Sequence, residues 1–203
     1  MPERNYRERL KANTLLAARK IVTNEGLGAL QARRIAQDSG CSVGTIYNLY
    51  DGLDDLIINV NAATLEDLGA NLSAEKERSA QAPLDERLAG LALAYLSFAL
   101  DSQTSWRAVF EHQLAKDRTV PDWYRERQAN LFAIVEGILA GHLIDPGHRQ
   151  MAARALFSAV HGIVSLALDQ KLGDFDREAT QAQVRFIVGA AAQGLKQPAA
   201  ATF

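Results

Sequence analysis

Residues 30 to 50 read LQARRIAQDSGCSVGTIYNLY, and the second half of this segment is rich in side chains that form hydrogen bonds without titrating. The hydroxyls of Ser42 and Thr45 and the amide of Asn48 can donate to phosphate oxygens or base edges. Tyr47 can reach a phosphate oxygen, and Asn48 has the paired donor and acceptor that match adenine. Gly44, lacking a Cβ, lets a backbone come close to a surface. For this set to act together, Ser42, Val43, Gly44, Thr45, Tyr47 and Asn48 must project from one short helix whose other face is held down. Ile35 and Ala36 on a preceding helix and Ile46 on the short one supply that anchor, and Gly40 suits the positive φ of the turn between them. This is helix-turn-helix logic, in which the first helix braces across a nucleic-acid backbone and the second enters the major groove. Helical hairpins that bind nothing share the same pattern.

Other chemistry finds fewer supporting residues. Cys41 is the single cysteine, which excludes an internal disulfide or a multi-cysteine metal centre. It reads as a small turn residue, with thiol sensing at a helix N-terminus as the other possibility. His112, His142, His148 and His161 lack paired metal-ligand spacing, so no metal and no cofactor are expected. No nucleophile with a base, no pair of catalytic acids and no glycine-rich phosphate loop after a strand is present, so the sequence does not read as an enzyme.

The composition constrains the scaffold. The 203 residues are 48% apolar and 23% charged, too apolar for disorder. Against 34 Ala and 26 Leu stand 10 Val and 10 Ile, which favours helix over strand. The net charge of −2 conceals an asymmetry: residues 1–50 hold eight Lys or Arg against four acids, and the remainder is acidic by six. A basic head on an acidic body suits a polyanionic partner for the head, although modest charge runs are also ordinary solvated faces. Arg4 to Lys11 can be a basic arm or the polar face of a first helix. No stretch approaches an uninterrupted membrane span, and the expected setting is soluble and cytoplasmic.

Periodicity and breakers divide the chain into helices. The spacing predicts helices over Tyr6 to Glu25, stopped by Gly26, over Leu30 to Ser39, over Ser42 to Leu49, and from Asp51 or Leu53 to Arg78. Beyond Pro83, helices are expected over Leu84 to Leu100, Gln103 to Ala115, Pro121 to Leu143, and Arg177 to Leu195. A further helix opens at Asp145 and Pro146, an N-cap and N1 pair, and runs to about Leu172. A polar, alanine-rich tail follows from Lys196 to Phe203.

The N-terminal region resembles the DNA-binding domain of the tetracycline-repressor (TetR) family. The likeness lies in a long first helix, Arg33-Arg34-Ile35-Ala36, the Gly40-Cys41-Ser42-Val43 turn, Gly44-Thr45-Ile46-Tyr47, and the opening Leu53-Asp54-Asp55-Leu56. The stretch Ala155 to Leu166, with Phe157 and His161-Gly162, is similar to the C-terminal domain of the branch named for its Trp-His-Gly signature. The resemblance implies an all-α homodimeric repressor that reads palindromic double-stranded operator DNA and is released by a small effector. It implies phosphate or base contacts for Arg33 and Thr45, groove contact for Val43 and Gly44, and a backbone anchor at Tyr47. Three positions depart from the family pattern: Leu49 stands for a polar aromatic, Leu53 for a phosphate-binding Lys, and Asp51 adds an acid. Affinity then leans on Arg7, Lys11, Arg33 and Arg34.

For the body, Tyr95, Trp106, Phe110, Trp123, Phe157 and His161 are the candidate effector contacts, since aromatics with polar tips can line and orient an apolar ligand. Each can equally be plain core. The small residues Ala155, Ala159, Gly162, Ala182, Gly189 and Ala190 permit close packing of the last two helices against those of a second copy. The expected architecture is about nine helices. A three-helix helix-turn-helix domain occupies residues 1–51, and a larger helical effector-binding and dimerisation domain occupies residues 52–203. The alternative is a helical interaction or ligand-binding module that does not touch DNA.

Overall fold

The computed structural model describes residues 2–115, 118–171 and 173–196. Among these residues there are nine α-helices and no strand: α1 (Pro2–Glu25), α2 (Ala32–Ser39), α3 (Val43–Leu49), α4 (Gly52–Arg78), α5 (Leu84–Asp101), α6 (Gln103–Glu111), α7 (Asp122–Leu139), α8 (Pro146–Leu168) and α9 (Arg177–Lys196). A short 3-10 turn (Leu27–Ala29) joins α1 to α2. The all-α expectation is met.

Several boundaries move for local reasons. α1 begins at Pro2, so Arg4 to Lys11 form helix rather than an arm, with Arg4 bonded to Glu8 one turn on at 3.2 Å. Leu30 lies outside α2 because the 3-10 turn ends on it and Gln31 is extended; its side chain is buried instead. α6 stops at Glu111 rather than Ala115, since His112 turns extended. α7 ends at Leu139 rather than Leu143, in a turn closed by His142 N–H and Leu143 N–H on the Leu139 carbonyl. α8 closes at Leu168, with Gln170 at a φ of 52°; Leu172 and the tail from residue 197 lie outside the described residues.

The chain packs as two compact units, one comprising the described residues of 1–67 and 102–127, the other those of 68–101 and 128–203. The expected boundary after residue 51 is not where the packing divides. Leu56, Ile57 and Val60 of α4 and Ala108 of α6 are buried in the same cluster as Ile21, Ile35, Ile46 and Tyr50. A helix-turn-helix of this length has too little apolar surface to close a core alone, and these residues complete it. Asn61, also buried, donates to the Ala108 carbonyl at 3.1 Å and ties α4 to α6.

In the second unit, α5 packs on α9 and α8, and α8 on α9. Leu96, Val164, Val184, Val188 and Ala192 are among its most buried side chains. Gly90 on α5 leaves room for the Glu75 carboxylate of α4, which a Cβ there would strike. α8 has no uninterrupted apolar run, as expected, but by length and composition it is apolar enough to cross a membrane, and 17% of its most apolar 18-residue window is buried in the chain.

Candidate nucleic-acid interface and effector cavity

The recognition element is built from its caps inward. Gly40 takes the left-handed conformation, with φ 68° and ψ 32°, and ends α2. Ser42 caps α3 by accepting the Thr45 N–H at 3.1 Å, and its hydroxyl lies 2.8 Å from the Thr45 hydroxyl. At the other end Tyr50 is buried, donates its hydroxyl to the Lys11 carbonyl at 3.0 Å, and carries the Lys11 ammonium over its ring. Burial pushes the Tyr50 phenol up to about 12. Ile46 faces inward and is 1% exposed.

What remains outside is the candidate surface. Gly44, Tyr47 and Asn48 are exposed on α3, as is Ser42 at its cap, and Arg33 is exposed on α2. Thr45 is half-buried, and Val43 packs partly against the core, so its expected outward position is reduced to an edge. Ser42 has a structural duty as the cap. Arg34, expected to support phosphate binding, has both terminal nitrogens on the Glu25 carboxylate, at 2.6 and 2.5 Å, in an exposed pair that holds that carboxyl below its usual range.

The three departures have visible partners. Leu49 and Leu53 pack against the core. Asp51 donates its N–H to Asp55 Oδ2 at 3.2 Å, and its exposed carboxylate meets Arg118, which follows α6 in the chain. Arg7 offers more than charge, donating to the Asn48 carbonyl at 3.0 Å. Tyr6, Arg7 and Leu10 of α1 form a shallow groove with Thr45, Asn48 and Leu49. Spacing along α1 could place these three on one face, but not against α3.

The second unit holds a small, partly open apolar cavity. Tyr95 and Phe157, both expected effector contacts, line it. His161 joins them: its Nδ1 is 2.8 Å from the Tyr95 hydroxyl, and its ring stacks on Phe157 with centroids 5.4 Å apart. Burial lowers the His161 pKa below its ordinary value, which favours the uncharged imidazole. Trp106, Phe110 and Trp123 do not line this cavity. They belong to the first unit, where Trp106 is buried against Phe110 and Trp123 packs edge-on to Tyr124. Sequence reasoning missed Leu72, Leu88, Leu91, Ala92, Val135 and Val188 in the lining, since aliphatic residues at helical spacing look the same in a cavity and in a core.

The small-residue face is open. Ala155, Ala182 and Ala190 are exposed, and Ala159, Gly162 and Gly189 are half-buried. Three larger residues missed in the sequence share α8 and α9 with them: Met151 at 64%, Leu166 at 43% and Phe186 at 77% exposure. Among the described residues no cluster of three or more His, Cys, Asp or Glu is placed to hold a metal ion.

Comparison with known proteins adds the following. A family model described as "Tetracyclin repressor-like, C-terminal domain" matches residues 88–191, half of the chain. A search of the curated proteins finds no match. Among solved structures, a protein with unknown function from Rhodococcus sp. RHA1 superposes with a TM-score of 0.74 at 23% identity, covering 93% of this chain and 96% of that one. A TetR-family transcriptional regulator from Streptomyces coelicolor does so with a TM-score of 0.67 at 14% identity, covering 92% and 99%. The transcriptional regulator FadR from Bacillus subtilis, solved with stearoyl-CoA, gives 0.61 at 18% identity, covering 89% and 98%.

Proposed function

The chain belongs to the tetracycline-repressor-like family, and on that premise we propose that it is a ligand-responsive DNA-binding regulator, a homodimeric repressor whose two α3 helices read a palindromic operator. The observation that carries the reading is the division of α3: Ile46 is locked into the head core while Gly44, Tyr47 and Asn48 face outward from a helix capped at Ser42. Arg33, Thr45 and Tyr47 contact phosphate or base edges, Gly44 lets the backbone approach, and Asn48 reads a base. Arg7, fixed to the end of α3, adds a phosphate contact from α1.

The exposed faces of α8 and α9, with Phe186 midway along α9, pair with those of a second copy. That accounts for a helix as apolar as α8 being so little buried within its own chain. Two heads so joined present recognition helices about 34 Å apart, the spacing of successive major grooves. A small, mostly apolar effector enters the cavity beside Tyr95 and Phe157 and favours a dimer whose heads no longer match that spacing, weakening DNA binding by its differential affinity for the two states. The FadR neighbour, solved with stearoyl-CoA, supports responsiveness to a ligand that carries a long apolar chain. The role is regulatory rather than catalytic, and the setting is the cytoplasm.

The test is fluorescence anisotropy of the full chain with duplexes tiled across the DNA flanking its own gene, between 50 and 200 mM salt. One palindromic duplex is expected to bind with a strong salt dependence. Absence of binding to any duplex at the lowest salt overturns the reading.

A further inference from the structure

Every residue that lines the second-unit cavity is apolar except Tyr95, and none is an acid or a base. An ion entering this space loses its hydration with no fixed opposite charge to replace it. The aromatic chain beside the cavity runs from Tyr95 to Phe157, with ring centroids 5.9 Å apart, then to Phe132 at 5.5 Å, and ends where the Arg154 guanidinium lies 4.9 Å over the Phe132 ring. Arg154 is exposed and is not one of the lining residues, so its charge is spent on the ring face and on solvent. Tyr95 is the one lining residue that carries a polar side-chain atom; it is buried, and its hydroxyl is paired with His161 beside an almost wholly apolar surface.

A phenol hydroxyl both donates and accepts, and a neutral imidazole offers one of each. A ligand oxygen can therefore share or exchange the Tyr95–His161 hydrogen bond without bringing charge into the cavity. Resting on the reading of this cavity as the effector site, we propose that it selects uncharged molecules with an apolar body and a single hydrogen-bonding oxygen, the class of medium-chain or cyclic alcohols, ketones and phenols. It discriminates against carboxylates, acyl thioesters of charged carriers and quaternary ammonium ions. Tyr95 recognises the oxygen, and His161, held on the Phe157 face, positions Tyr95.

Three probes with the same alkyl chain separate the possibilities: 1-decanol, decanoate and decyltrimethylammonium. Each is titrated calorimetrically at pH 7.5, below its micelle concentration, into the full chain, the Tyr95→Phe variant and the cavity-filling Ala92→Phe variant. Decanol is expected to bind at least tenfold more tightly than either ion, to lose five- to tenfold in affinity with Tyr95→Phe, and to lose binding with Ala92→Phe. If either ion matches decanol and Ala92→Phe abolishes that binding, the cavity is the effector site but selection for neutral ligands is wrong. If Ala92→Phe leaves the binding of all three unchanged, or none binds, the effector-site reading fails and the proposal with it. Decanol affinity unchanged by Tyr95→Phe overturns the role given to Tyr95; should that variant not fold, His161→Phe interrogates the same link.

Discussion

Arg118 donates through Nη1 to the Asp51 carbonyl at 2.6 Å, and its Nη2 stands 3.3 Å from the Asp51 carboxylate. Asp51 sits between the end of α3 and the start of α4, with a carboxylate side chain 90% exposed. An exposed pair of this kind contributes little to folding, about 0–1 kcal/mol. Its importance lies in what an approaching phosphate meets: an acid alone or an acid already neutralised.

Arg118→Ala is therefore expected to weaken operator binding by about three- to tenfold near 0.1 M salt, with a salt slope shallower by about one unit. Asp51→Asn should strengthen binding, and the double variant should recover most of the loss. Anisotropy titrations across salt read all three; an Arg118→Ala variant that binds like the parent would place Asp51 away from the DNA.

Substitutions in the head should separate by type. Arg33→Ala is expected to weaken every duplex alike and to reduce the salt slope by about 0.9. Asn48→Ala should cost about 1–3 kcal/mol of discrimination at one base pair and little against scrambled DNA. Ser42→Ala should act on the fold, lowering stability by about 1 kcal/mol through loss of the cap on Thr45 N–H. Urea melts beside binding curves on matched and single-mismatch duplexes distinguish these outcomes.

Stability should fall on the acid side through two half-buried histidines. Burial lowers the His112 pKa, partly opposed by Asp54, whose carboxylate is 3.6 Å from a His112 Nε2 that is buried without a hydrogen-bond partner. Burial lowers that of His161 as well. Both take up protons more readily when unfolded, so stability is fully present above the ordinary value of 6.5 and is lost as pH falls through their depressed values. Tm is expected to drop between pH 7 and pH 5, and His112→Gln to flatten that drop; an unchanged slope in this variant would show that His112 is not its source.

Phe186→Glu places a charge at the centre of the exposed α9 face. It should leave helicity intact, convert the proposed dimer to monomer at micromolar concentration, and reduce affinity for the proposed operator by more than tenfold as one head is lost from each complex. Light scattering after gel filtration, with circular dichroism as a control, decides the matter. A dimer that survives this change pairs through another surface.

The features legible in the sequence are those fixed within one turn of chain. Gly40 reaches φ 68°, Ser42 caps α3, Asp145 accepts the His148 N–H ahead of Pro146, and Ile35, Ala36 and Ile46 are buried. Each follows from the residue type and its neighbours. What escaped depends on distant partners. Arg34 looked available until Glu25 was placed beside it, and Arg118 gave no sign of meeting Asp51. Trp106 and Phe110 have the spacing of a ligand wall, yet they share a unit with the head because α6 supplies Ala108 to its core. Aromatic content located helices that are buried, without revealing which core each helix serves.

That shared core limits how the regulator can be recombined. A hybrid made by joining residues 1–51 to another body would expose the faces of Ile21, Ile35, Ile46 and Tyr50 that Leu56, Ile57, Val60 and Ala108 cover here. The head is thus not a cassette. A graft that keeps this core has to carry the first half of α4 and either α6 itself or an α6 that offers the same small residue and carbonyl to Asn61, so transfer of the proposed operator preference from this chain depends on a helix outside the candidate DNA-reading segment.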